Sequence, residues 1–146
     1  MKGRAWLRGA LVSLAVLESM AGVWQLLCPR SFFDDFPAKG NAWVAALPPY
    51  NEHLLRDQGG MHLAMAVMFA AAAIAMERRL VNSALIANLV FAVPHAVFHA
   101  THLEVLSRFD AIAQTVTLLA AVLIPAGLLL LCRAVLERPK GSSPPA

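Results

Sequence analysis

Three histidines, His95, His99 and His102, fall within the short segment PHAVFHATHLE at 94–104. Neutral imidazole ligates zinc, copper or iron and exchanges a proton near neutral pH, so this spacing could serve a metal, a small molecule or a proton. Counting about 100° per residue from Asn88, His95 falls near about −20°, His99 near about +20° and His102 near about −40°. Four polar side chains therefore share one stripe of a helix, about 60° wide. Glu18 and Gln25 are seven residues apart on another segment, hence on one face, and Gly22 between them permits a close helix approach. His62 stands in a third segment, and Asp110, Gln114 and Thr117 follow i, i+4, i+7 spacing in a fourth. Met61, Met65 and Met68 form a further stripe; thioethers suit Cu(I), but methionines at this spacing are more simply packing.

Other chemistries have no support. No nucleophile and base stand at a recognised spacing, and there is neither a phosphate loop nor a CxxC pair, which sets aside hydrolase, NTPase and thiol-redox readings. Five histidines are also too few for a histidine-rich di-iron membrane oxygenase. No catalytic residue is assigned, and the reading leans away from an enzyme.

The segments that must position these residues are apolar. The chain has 146 residues, 59% hydrophobic and 14% charged, with a mean hydropathy of +0.62, on the membrane side of the usual balance. Four apolar stretches, at about 9–28, 59–76, 81–100 and 111–132, are each long enough for a helix to cross a hydrocarbon core of about 30 Å. The expected fold is all-α, an integral membrane four-helix bundle within a single domain over 1–136, followed by a disordered cytoplasmic tail at 137–146. Glu77-Arg78-Arg79-Leu80 should be a tight turn making the second and third spans an antiparallel hairpin. Eight of the twelve Lys and Arg fall on the side of the termini and four on the other, which puts both termini in the cytoplasm and the 29–58 loop outside a plasma or inner membrane. Basic residues gathered at segment ends speak for orientation in a bilayer and against nucleic acid as a partner. The first span also reads as a signal-like segment, with Ser19-Met20-Ala21 as a cleavage site, but its apolar run continues to Leu27, which favours an uncleaved span. Cys28 and Cys132, beside different spans at opposite faces, should not pair.

Depth then gathers the polar groups. At about 1.5 Å per residue, His95 lies roughly 7 Å outward of its span's centre, His62 roughly 9 Å and Gln114 roughly 11 Å. Glu18 is near mid-span, where a carboxylate must be protonated or paired. A polar stripe in lipid must face protein or water, which implies an outward-opening pocket formed by Glu18, His62, His95, His99 and Gln114. Pro94 should kink the third span where the histidines begin. The outer loop is long and structured in composition, with Phe32, Phe33, Phe36, Trp43 and Tyr50 suited to a membrane interface. Asn51 is an N-cap for a helix on which Glu52–Arg56 and His53–Asp57 are i, i+4 pairs, and Arg56 and Asp57 would lie at the pocket mouth. Three readings stay open for the histidines: interhelical hydrogen bonding, binding of a small molecule or proton, and a metal or haem site using His62, His95 or His99. The expected function is a binding or accessory protein, with two alternatives: a membrane redox component binding haem or quinone, and a small transporter subunit working as a homo-oligomer, since four short spans enclose little volume. Expected partners are the bilayer, a small ligand or a membrane complex.

Four short spans with a long first outer loop resemble the DoxX-like small membrane proteins. More particularly, FPAKGNAWVAALPPYNEHLLRD before Gly-Gly and an apolar helix, with FAVPHAVFHATHLE later, is similar to a group of uncharacterised actinobacterial membrane proteins. The resemblance covers about 9–132. It implies a four-helix fold and a link to quinone-associated redox chemistry, and it carries no defined site residue onto this chain.

Overall fold

The computed structural model describes residues 2–136, which form five α-helices and no strand. These are α1 (Lys2–Leu27), α2 (Pro29–Asp35), α3 (Glu52–Ala75), α4 (Arg78–Ala100) and α5 (Arg108–Leu136), with a short 3-10 turn at Leu103–Val105. The tail expected to be disordered, 137–146, lies outside the described residues. Helices α1, α3, α4 and α5 have 26, 24, 23 and 29 residues and are each long and apolar enough to cross a membrane. The protein is a multi-pass membrane protein built as a four-helix bundle. One end of the bundle carries the connection between α1 and α3 and is here termed the loop end; the opposite end is the terminal end.

The helices overrun the apolar spans, because the flanking charged residues are good helix formers and nothing at the span boundary ends the hydrogen-bond ladder. The connection of α3 to α4 is consequently shorter than the expected four-residue turn. Met76 closes α3 in the left-handed region (φ 48°), its N–H reaching Ala72 O, and α4 begins at Arg78. Covalent closeness does not make α3 and α4 the main partners, however. The bundle is two antiparallel pairs, α1 against α3 and α4 against α5, joined by a narrower α3–α4 seam.

The two ends are packed by different means. At the terminal end Leu7 and Leu11 of α1 meet Phe69, Ala72, Ala73 and Met76 of α3, Val81, Ala84 and Leu85 of α4, and Leu128 and Cys132 of α5 in one apolar cluster. Met65 and Met68 pack against that cluster, while Met61 is exposed, so the methionine stripe is largely packing. Cys28 is exposed and Cys132 buried, both free. Toward the loop end the buried side chains turn polar, with Gln25, Asn88 and Gln114 all buried. Helix α4 runs unbroken through Pro94.

The α1–α3 connection is ordered. Pro29 at the first position opens α2, which the apolar pattern did not reveal. Trp24, Phe32, Phe36 and Trp43 form a chain of aromatic contacts, and Arg30 lies 5.0 Å over the Tyr50 ring. Burial, with Glu52 beside it, pushes the Tyr50 hydroxyl above its ordinary value. The loop is fastened to α5 through Asp110, whose carboxylate accepts from Trp43 Nε1 at 2.9 Å, Asn41 Nδ2 at 3.2 Å and Ser107 Oγ at 2.6 Å. Asn51 caps α3 by accepting from Leu54 N–H at 3.1 Å.

Candidate functional site

Gly22 and Gly59 set the geometry of the α1–α3 seam. A Cβ on Gly22 would come within 2.9 Å of the Gly59 carbonyl oxygen, and one on Gly59 within 2.9 Å of the Gly22 carbonyl oxygen. Hydrogen alone fits at both positions, so the two backbones lie nearly in contact. One turn along α1 and one along α3, on the terminal side of that crossing, the proximity places Glu18 Oε2 2.5 Å from His62 Nδ1. One turn the other way, Arg56 Nη1 donates to the Leu26 carbonyl oxygen. Residues 18, 22 and 26 of α1 thus face 62, 59 and 56 of α3 in an antiparallel register.

The Glu18–His62 pair is largely enclosed, with side chains 16% and 17% exposed. In lipid the pair satisfies the requirement that a mid-span carboxylate find a partner. His62 Nε2 lies 3.5 Å from Gln58 Nε2, one turn toward the loop end. The His62 ring meets the edge of Phe91 on α4 at 5.7 Å, and Phe91 stacks on His95 at 5.1 Å. His95 is T-shaped to His99 at 4.6 Å, and His99 lies beside Gln114 of α5. His102 stacks on Phe98 at 4.2 Å, and its Nδ1 donates to Phe98 O at 2.7 Å, capping the end of α4.

The structure thus brings together Glu18 with His62, and His95 with His99 and Gln114, as two groups joined through Phe91. This is not the single open pocket expected from the sequence. A groove of about 1020 Å³ does run along α1 and α3, but its walls are mostly apolar and none of these five residues lines it. His95, expected to face protein, is exposed on the flank of α4. Arg56 is a clamp: it pairs with Glu52 at 2.8 Å and holds the end of α1. Asp57 does not approach the site, because its side chain is 63% exposed and turned to His53 at 3.2 Å on the surface of α3. Thr117 bonds its own helix, at Ala113 O, and is exposed.

The same geometry bears on metal ligation. Among the described residues no group of three or more His, Cys, Asp or Glu side chains is gathered as ligands. Phe91 contacts both rings, His62 at 5.7 Å and His95 at 5.1 Å, so in this arrangement an aromatic side chain occupies the place where a haem shared by that pair would sit. The Nδ1 contact with Glu18 orients His62 as a carboxylate orients a ligating histidine, but its Nε2 is directed at Gln58.

Several elements of the site escaped the sequence reading. Gly59 is one; its partner Gly22 was legible only because it sat between two polar residues. Phe91 precedes His95 by one turn, which a search for aromatic neighbours of the histidines would have found. Gln25 and Gln114 are each buried with Oε1 lacking a hydrogen-bond partner, a feature no spacing reveals. Comparison with protein-family models, curated proteins and solved structures gave no match for this chain.

Proposed function

We propose that the protein is a non-enzymatic binding or accessory protein of the cell membrane whose Glu18–His62 pair takes up a proton, or the protic group of a small ligand, from the loop end. The observation that carries this reading is the 2.5 Å contact between a carboxylate and an imidazole enclosed between two membrane-spanning helices. Two protonation states of such a pair have no net charge, carboxylate with imidazolium and carboxylic acid with neutral imidazole. They differ only in which atom holds the shared proton. Removing that proton leaves one negative charge between α1 and α3, at a cost on the order of 3 kcal/mol for a carboxylate at mid-membrane. Proton occupancy and helix packing are therefore coupled. Gln58 supplies the polar contact on the loop-end side of His62, and the apolar cluster closes the terminal end.

Infrared difference spectra of reconstituted protein stepped between two pH values test this reading. A pH-dependent carboxyl band that disappears in Glu18→Gln and moves in His62→Asn supports it. Identical difference spectra in wild type and Glu18→Gln would remove it. A Soret band in protein purified in mild detergent would replace it with a haem-binding reading.

The charge asymmetry of the segment ends supports placing the termini in the cytoplasm and the loop end outside. The four short spans with a long first outer loop support reading the chain as DoxX-like, and the 36–57 and 91–104 segments support the likeness to the actinobacterial group. Labelling of a cysteine at position 39 from outside intact cells tests the orientation.

A further inference from the structure

The apolar groove on the flank of the α1–α3 pair has a direction. Arg8 lies at its terminal end, Ser19 and Met20 at its inner end, and Ala15, Ala66 and Ala70 are among the side chains along it. From Arg8 to Met20 is twelve residues of helix, about 18 Å. One leaflet of a bilayer whose hydrocarbon core is about 30 Å thick is about 15 Å deep. The groove therefore spans one leaflet, from its surface to slightly past the mid-plane, and its volume of about 1020 Å³ is that of a ligand site. Arg8 is exposed and none of the ion pairs among the described residues involves it. Arg4 precedes it by one turn on the same helix face. A slot of leaflet length with an uncommitted guanidinium at its headgroup end is complementary to one molecule class, an amphiphile with an anionic head.

We infer that this groove is a binding site for one anionic phospholipid of the leaflet at the terminal end, its phosphate on Arg8 and an acyl chain between α1 and α3. The inference is independent of the proton-binding reading, since Glu18 and His62 do not line the groove. Arg8 contributes selectivity and the slot contributes residence: zwitterionic lipid enters the same slot and leaves sooner.

The test is native mass spectrometry of the protein released from bilayers of equal phosphatidylglycerol and phosphatidylcholine. Wild type should retain one phosphatidylglycerol in preference to phosphatidylcholine. Arg8→Ala should lower that preference about fivefold, the factor one basic side chain is worth at an anionic surface, and Arg8→Lys should keep most of it. Ala70→Phe, which fills the slot, should lose bound lipid of both kinds; circular dichroism checks that it is folded, and the exposed Arg8 variants serve if it is not. Equal retention of the two lipids by wild type, or an unchanged preference in Arg8→Ala, overturns the inference. So does a dimer cross-linked through Ala70→Cys, which would make a second copy of the chain the occupant.

Discussion

At the scale of single residues, the controlling fact is that Glu18 and His62 each remove the other's cost. Leaving one buried polar partner unsatisfied costs about 1–3 kcal/mol, whereas replacing both by apolar groups of similar shape can be nearly neutral. His62→Phe should therefore destabilise the bundle by about 1–3 kcal/mol, and the double variant Glu18→Met/His62→Phe should recover most of that loss. Unfolding in mixed micelles, read by circular dichroism, checks both. Equal stability of the single and double variants would mean that the two side chains do not interact in the membrane. Asp110 matters in another way, since it gathers Trp43, Asn41 and Ser107 at one carboxylate. Asp110→Ala should free the α1–α3 connection and raise its cleavage by added protease severalfold, while the helical signal stays at the wild-type level.

At the scale of elements, the α1–α3 pair depends on backbone proximity. Lipid gives little hydrophobic incentive for two apolar helices to associate, so association rests on van der Waals contact and hydrogen bonds, and these need the close approach that Gly22 and Gly59 allow. Gly59→Val should cost about 1–3 kcal/mol by overpacking and part Glu18 from His62, so that the carboxyl band of the infrared experiment shifts together with stability. Gly60→Val, one residue along where a Cβ meets nothing within 4 Å, is the control and should be close to neutral. The same pair shows which kinds of structure the sequence disclosed. Hydrophobic runs delimit four spans, and local spacing found the Asn51 cap and the Glu52–Arg56 pair, because those contacts are made within one helix. Periodicity reports which face a residue shares, not which helix will cover that face. The α1–α3 register and the Trp43–Asp110 bond across 67 positions depended on that choice and were not legible, whereas the His53–Asp57 pair that turns Asp57 away follows from local spacing. His95 fell on its expected stripe of α4, yet it is exposed there, with Phe91 and His99 of the same helix as its ring neighbours.

At the scale of the whole molecule, packing and polarity are divided along the bundle axis. The terminal end holds a cluster of buried apolar side chains, and the loop end holds the histidines, the buried glutamines and the fastened loop. Orientation decides what that polar end can meet. With Cys28→Ser as background, Lys39→Cys should react with a membrane-impermeant maleimide added to intact cells. Protection in cells with reaction only after lysis would invert the orientation and place the entry to Glu18–His62 in the cytoplasm. Cys132, buried in the apolar cluster, serves as the internal unreactive standard.

The crossing of Gly22 and Gly59 lies between Glu18–His62 on one side and Arg56–Leu26 on the other, each about one helical turn away. It is in effect a fulcrum with two short, nearly equal arms. A rocking motion of α1 on α3 about that point lengthens one contact as it compresses the other, so a pull on the loop is felt at the proton-sharing pair with its sign reversed.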